Sequence, residues 1–483
     1  MKLSWKEKIS YGLGAVGKDM VYMLSASYVL YYYQDILGVE AYAMGIILLV
    51  ARIFDAFNDP VIGVLVAKTR TRWGRFRPWL LIGTLTNAVI LYLMFSVPIA
   101  LDGAGLIAYA AIFYILWGVT YTMMDIPYWS MIPAFTEGGK EREDLSTLAR
   151  SCAGVGSALI TILTMMLVPM LGKLANPAQA EIVNSYVEET ASAADTAAYT
   201  AAETAVERSG FQIFALIVAA LFVAFIALTC WKIKEKSTVD VDSPSIGQMF
   251  RALVQNDQAM TVVVAIVLIN TAIYITSNLV IYFFKYDFGG TDWNASYTLF
   301  NMFGGAIQIL SMMLLFPLLR KFLDTIRIFY LCIASAVLGY AVLLLLAFTS
   351  MDNVFILFIP GFFIFAASGV LNVLTTIFLA NTVDYGQVKN GRRDESVIFS
   401  MQTFVVKLAS GIAAFIASMC LTVFSLSSDT DSAATAGVSS VVGLRMTMTV
   451  VPVVGLLIAL IYFYRHYILT DKKMAELSET LKK

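Results

Sequence analysis

Residues 41–67 hold the stretch Arg52-Ile53-Phe54-Asp55-Ala56-Phe57-Asn58-Asp59-Pro60 inside an otherwise apolar run. The run is long enough to cross a bilayer, which takes about 20 mostly apolar residues. Yet it carries an arginine and two carboxylates. Asp55 and Asp59 are four residues apart, so on a helix they share one face. Two ionised acids at that spacing repel each other, and lipid makes each costly. A bound cation relieves both problems, and so does a shared proton. Carboxylate oxygens are hard ligands suited to Na⁺, Li⁺ or H⁺. The rival readings are a structural ion-pair network with Arg52, or a helix end lying at the interface.

Working outward, the chain of 483 residues is 59% apolar and only 14% charged, with a mean hydropathy of +0.77. A water-soluble surface needs more charge than that. Helices apolar all round belong in a core or in lipid, and there are too many here for one core. The length rule marks about twelve spans. The first six fall near 9–35, 41–67, 78–98, 105–134, 147–172 and 211–233. The second six fall near 259–287, 295–319, 326–348, 353–382, 396–425 and 443–465. The expected fold is an all-α polytopic membrane protein of two six-helix halves. Residues 1–235 form the first half, 236–258 a cytoplasmic linker, 259–468 the second half and 469–483 a cytoplasmic tail.

The basic loops fix the expected orientation. Lys68, Arg70, Arg72, Arg75 and Arg77 follow span two, and Lys140, Arg142 and Arg150 flank the link after span four. Further basic groups follow spans six, eight and ten, and Arg465, Lys472, Lys473, Lys482 and Lys483 lie in the tail. All these segments fall on one side, so both termini are expected in the cytoplasm. The short charged start, Met1 to Ser10, and the interruption by Lys18 and Asp19 argue against a signal peptide. Residues 176–208, rich in Ala, Thr and Glu, suit a helical hairpin or a mobile loop on the outer side.

Several chemistries are excluded. Cys152, Cys230, Cys332 and Cys420 each sit in an apolar run at no metal-ligand spacing, so they read as small core residues. His466 is the one histidine, which rules out a histidine proton relay. A net charge of −1 and no long basic stretch give no support for nucleic-acid binding. Gly12-Leu13-Gly14-Ala15-Val16-Gly17-Lys18 imitates a phosphate loop, but Asp19 follows where Ser or Thr is needed, and it would repel phosphate. Those glycines are better read as letting helices approach closely.

A second group of candidates lies in Tyr121-Thr122-Met123-Met124-Asp125-Ile126-Pro127-Tyr128-Trp129. Thr122, Asp125 and Trp129 fall at spacings of three and four and can share a face. A carboxylate accepts hydrogen bonds from sugar hydroxyls, and an indole stacks on the apolar face of a pyranose. The alternative is a kink at Pro127 with an interfacial tryptophan. Lys18, Asp19, Arg150 and Lys407 are further charges within spans, to be read as cavity residues or as snorkelling and paired structural charges.

The blocks Tyr11 to Asp19, Arg52 to Pro60, Arg72-Trp73-Gly74-Arg75-Phe76-Arg77-Pro78-Trp79, Asp125 to Ser130 and Asp384-Tyr385-Gly386 together resemble the glycoside–pentoside–hexuronide:cation symporters of the major facilitator superfamily. Within that family the chain looks most like the melibiose carriers. The resemblance covers nearly the whole chain except 176–208 and 425–437. It implies that Asp55, Asp59 and Thr122 bind the coupling cation, Na⁺, Li⁺ or H⁺. It implies that Lys18, Asp19, Asp125, Trp129 and Arg150 contact sugar, with Gln402, Thr403 and Lys407 as the second-half wall of that cavity. It further implies a monomeric carrier in the bacterial inner membrane, with no cofactor beyond the ion. Asn372 stands where melibiose carriers have Trp, and Asn381 where Asp is common. The acid at Asp125 favours a neutral galactoside such as melibiose over a uronate. Rival functions are a carrier of the same family for another glycoside, pentoside or hexuronide, an exporter of the superfamily, a membrane sensor, and a membrane enzyme. No catalytic triad or signalling domain supports the last two.

Overall fold

The protein is described by a computed structural model covering residues 3–136, 139–186, 192–233, 251, 254–288, 293–346, 353–391, 393–424, 426 and 438–482. Most of the expected linker at 236–258 and of the segment 425–437 lies outside the described residues, as do residues 187–191 of the insert.

The described elements are helices. In order they are α1 (Trp5–Tyr31), α2 (Ala41–Lys68), α3 (Arg77–Met94), α4 (Gly103–Phe135), α5 (Gly139–Ala175), α6 (Pro177–Ser185) and α7 (Ala193–Lys232). Then come α8 (Asp257–Tyr286), α9 (Trp293–Leu310), α10 (Phe316–Leu319), α11 (Thr325–Leu346), α12 (Val354–Asn390), α13 (Glu395–Val423), α14 (Val438–His466) and α15 (Asp471–Lys482). A wide turn at Tyr32–Ile36 extends α1, and another at Ser311–Leu315 joins α9 to α10. Among the described residues ten helices are long and apolar enough to cross a membrane. The charged helices α1 and α2 add 27 and 28 residues, about 40 Å each at 1.5 Å per residue. The insert is helical: α6 precedes a 40-residue α7, about twice the length needed to span hydrocarbon. Ser192 starts α7 with a reciprocal capping box to Asp195, and Tyr186 stacks on Tyr199 at 4.1 Å.

The chain divides into two compact units. The first comprises Met1–Met131 and Cys152–Thr238. Small residues set its helix spacing. A Cβ on Gly14 of α1 would fall 2.6 Å from Thr229 Oγ1 of α7, and one on Gly17 would fall 3.2 Å from the Phe222 Cα. The glycines that imitate a phosphate loop therefore seat α1 against α7. Thr229 seals this contact by donating to the Ser10 carbonyl at 2.6 Å. Gly83 brings α3 onto the backbone of α4 at Met124, and Asn87 donates to the Trp117 carbonyl at 3.0 Å and to Thr120 at 2.9 Å.

The second unit comprises Ile132–Ser151 and Val239–Lys483, so it takes in the end of α4 and the start of α5. Ile275, Leu279, Phe283, Phe284, Leu357 and Leu444 belong to its buried apolar core. Gly369 lets α12 meet the Gln308 carbonyl of α9. Arg142, fully buried, pairs with Asp384 at 2.7 Å and donates to Asn381 Oδ1 at 3.0 Å and to the Ala380 carbonyl at 3.1 Å. Asn381 thus serves as an amide acceptor for a buried guanidinium. Arg393 bonds Asp384 at 2.8 Å and Glu395 at 2.5 Å. Burial works against its charge, but these carboxylates outweigh it and hold its proton more firmly than usual.

Candidate functional site

Lys18 is the centre of the first cluster. Its side chain is 3% exposed, and its Nζ lies 2.8 Å from Asp125 Oδ1 and 3.0 Å from Asp19 Oδ1. It donates to the Tyr121 hydroxyl at 3.2 Å. Three rings surround it, with Trp129 nearest at 4.9 Å to the centroid and Tyr121 and Tyr128 at 5.7 and 5.8 Å. A buried ammonium is tolerable only with such compensation from acids and π faces. Asp125 Oδ1 also accepts the Trp129 indole N–H at 3.0 Å. The structure therefore brings Lys18, Asp19, Asp125 and Trp129 together.

The geometry of this cage is set by the contact of α1 with α4. Tyr11 and Tyr128 stack nearly parallel, with centroids 4.4 Å apart. Each hydroxyl donates to the other residue's backbone carbonyl, at 2.5 and 2.6 Å. Two polar tips are thereby satisfied without water, and the rings fix the register of the helices.

A second cluster lies between α2 and α4. Asp59 is fully buried and accepts the Thr122 hydroxyl at 2.8 Å. Asp55 is buried and rests against Gly118, where a Cβ would come within 2.8 Å of its Oδ1. Arg52 shares a small pocket with Asp55, Tyr22, Tyr114, Trp117 and Gly118. Adjacent α4 residues therefore serve different clusters: Tyr121 faces Lys18, and Thr122, about 100° further round the helix, faces Asp59. The rings of Tyr114, Trp117 and Tyr121 stack in series along α4 at 5.8 and 5.3 Å, and Tyr22 of α1 leans on the last two. In the first unit these clusters hold two basic residues, Lys18 and Arg52, against four acids, Asp19, Asp55, Asp59 and Asp125.

The other candidates lie in the second unit. Arg150 donates from Nε to the buried Thr376 hydroxyl of α12 at 2.7 Å. On α13, Gln402 is buried, and Thr403 donates to the Phe399 carbonyl of its own helix at 3.2 Å. Lys407 is half-buried one turn beyond Thr403, on the same face. Asn372 is half-buried on α12 one turn before Thr376.

Sequence reading passed over Tyr11, Tyr121, Tyr128 and Thr376 as functional residues. The tyrosines lie inside the quoted motifs, and Tyr121 sits four residues before Asp125, which is a usable signal. Thr376 gives no local signal, because its partner is 226 positions away.

Residues 10–471 match the family described as MFS/sugar transport protein. The chain is 27% identical to a lactose permease of Lactobacillus delbrueckii subsp. bulgaricus, over 100% of this chain and 73% of the permease. It is 27% identical to the putative glycoside/cation symporter YagG of Escherichia coli, over 99% of this chain and 95% of that protein. Among solved structures it is similar in fold to the Escherichia coli fucose:proton symporter FucP, at a TM-score of 0.65 and 14% identity, over 96% and 98% of the two chains. It is a multi-pass membrane transporter of the major facilitator fold and not an enzyme. With its match extending through nearly every helix, the chain belongs to the MFS/sugar transport protein family.

Proposed function

We propose that the chain is a cation-coupled sugar symporter that imports a neutral glycoside, in particular a galactoside such as melibiose, by alternating access. The observation that carries this reading is the split of acids around α4. Asp19 and Asp125 are held by Lys18, whereas Asp55 and Asp59 form a separate group beside Thr122. The acids outnumber the nearby bases, and buried carboxylates favour a bound cation or proton. Na⁺, Li⁺ or H⁺ at Asp55, Asp59 and Thr122 would lower the cost of closing the protein over them. The Lys18 cage offers both acceptors and donors to sugar hydroxyls, and Trp129 offers a ring. Its two acids disfavour a uronate. Arg150, Gln402, Thr403 and Lys407 supply further sugar contacts. Sugar raises cation affinity by the factor by which cation raises sugar affinity.

The proposed setting is the bacterial cytoplasmic membrane, with both termini inside and the monomer as the working unit. Transport by Asp59→Asn in energised membrane vesicles tests the coupling. Accumulation of sugar against its gradient disappears, while exchange of labelled for unlabelled sugar persists. Undiminished Na⁺- or proton-driven accumulation removes the assignment. A side-by-side comparison of Na⁺, Li⁺ and acid pH then identifies the ion.

A further inference from the structure

The first turns of α5 and the inner stretch of α12 meet along a polar seam within the second unit. Arg142 contacts Ala380, Asn381 and Asp384, and Arg150 contacts Thr376. The contacts step forward along α5, from 142 to 150, and backward along α12, from 380–384 to 376, so the helices run antiparallel there.

The Arg150 end of the seam has a distinct chemistry. Thr376 Oγ1 accepts from Arg150 Nε at 2.7 Å and lies 3.1 Å from the Asn372 carbonyl, to which it donates. One fully buried hydroxyl thus meets a charged donor and a backbone acceptor at once. Both demands select one rotamer, and the branched Cβ removes the remaining slack. A guanidinium is a planar fork, so fixing its Nε edge sets the direction of the rest. Ser146 and Thr147 lie on the same side of α5 as Arg150, four and three residues before it, and Ser151 lies one turn beyond Thr147. Their buried hydroxyl oxygens have no hydrogen-bond partner among the described residues. Buried hydroxyls of this kind call for a polar partner, and a ring bearing several hydroxyls supplies it where an apolar ligand does not.

We propose that Thr376 is a positioning residue for sugar recognition. It aims Arg150, and the hydroxyl face of α5 around Arg150 takes a polyhydroxylated ring. This rests on the sugar role given to Arg150 above.

The test is equilibrium binding of melibiose, lactose, raffinose and xylose to purified carrier, with cation binding measured separately without sugar. Arg150→Ala, Thr376→Val, Thr376→Ser and the Arg150→Ala/Thr376→Val pair are compared with the parent. Loss of a hydrogen bond to a charged group is worth roughly tenfold in affinity. Thr376→Val is therefore about tenfold weaker for sugar, and Thr376→Ser, which keeps the hydroxyl, stays within about threefold of the parent. The double variant is no weaker than Arg150→Ala alone, because the two residues act as one unit. Cation affinity without sugar is unchanged throughout. If Thr376→Val fails to accumulate, Thr376→Ala takes its place. Three results overturn the inference: parental binding by Thr376→Val, equal loss in Thr376→Ser and Thr376→Val, or additive losses in the double variant. Any of these beside a weakened Arg150→Ala leaves the sugar role of Arg150 standing. Parental binding by Arg150→Ala, or a parent that binds none of the four sugars, removes that role and this inference together.

Discussion

At the scale of single residues, the most constrained group in the first unit is Lys18. Its ammonium holds two carboxylates and three rings at once, so its removal strands buried negative charge. Breaking one side of such a pair costs about 3–5 kcal/mol, more than the pair itself contributes. Lys18→Ala is therefore expected to lower the melting temperature of the detergent-solubilised protein and to abolish sugar binding. Asp125→Asn added to Lys18→Ala removes part of the stranded charge and should recover part of the lost stability. No recovery in the double variant would show that the cage is held by packing rather than charge. Lys18→Arg is not a rescue, because a planar fork does not fit a cage built for a point charge. Sequence had offered the indole of Trp129 as a stacking platform for sugar. The structure adds that its N–H is engaged by Asp125 and that Lys18 lies over its ring. Spacing on one helix shows who shares a face, but not what crosses from a neighbouring helix.

Most of the helical framework was legible because lipid enforces length and apolarity together, and both are properties of contiguous sequence. The spans expected near 105–134 and 443–465 became α4 at Gly103–Phe135 and α14 at Val438–His466. Helix ends beyond the apolar stretch were less legible. α5 begins at Gly139, well before the expected 147, because Lys140 to Asp144 are polar residues that still form good helix. α7 begins at Ala193, within the alanine-rich insert, for the same reason. The close approaches between helices were legible only as glycines, not as contacts. Gly83 shows what they decide. A Cβ there would fall 2.8 Å from the Met124 backbone nitrogen and 3.0 Å from the Met123 carbonyl carbon. Backbone cannot rotate away, so α3 must separate from α4 beside Thr122 and Asp125. Overpacking of this kind costs about 1–3 kcal/mol. Gly83→Ala should lower the melting temperature by several degrees and weaken both cation and sugar binding. Gly45→Ala is the control, since a Cβ at Gly45 meets nothing within 4 Å among the described residues. Equal behaviour of the two variants would show that the α3–α4 spacing does not set the site.

For the whole molecule, sequence foresaw a division at the linker. The second compact unit takes in Ile132–Ser151 beside the later helices. Two ion pairs join that segment to the later helices: Arg142 to Asp384, and Glu143 to Arg320 at 2.5 Å. Such pairings across some 200 positions leave no trace in local pattern. The loops that carry the remaining basic residues also set the proposed orientation, because Lys and Arg are retained on the cytoplasmic side. By that rule α15 and the tail lie inside, and α6 lies outside. Ser185 of α6 and Glu479 of α15 are both exposed. The native cysteines are poor competitors for a thiol reagent, being buried at 230, 332 and 420 and half-buried at 152. Ser185→Cys should therefore react in intact cells with a thiol reagent that cannot cross the membrane. Glu479→Cys should react only after the cells are permeabilised. The reverse pattern would invert the molecule and the direction of every gradient invoked for it. Labelling of both from outside would require an even number of crossings between them, or a re-entrant segment, and would overturn the twelve-span topology on which alternating access depends.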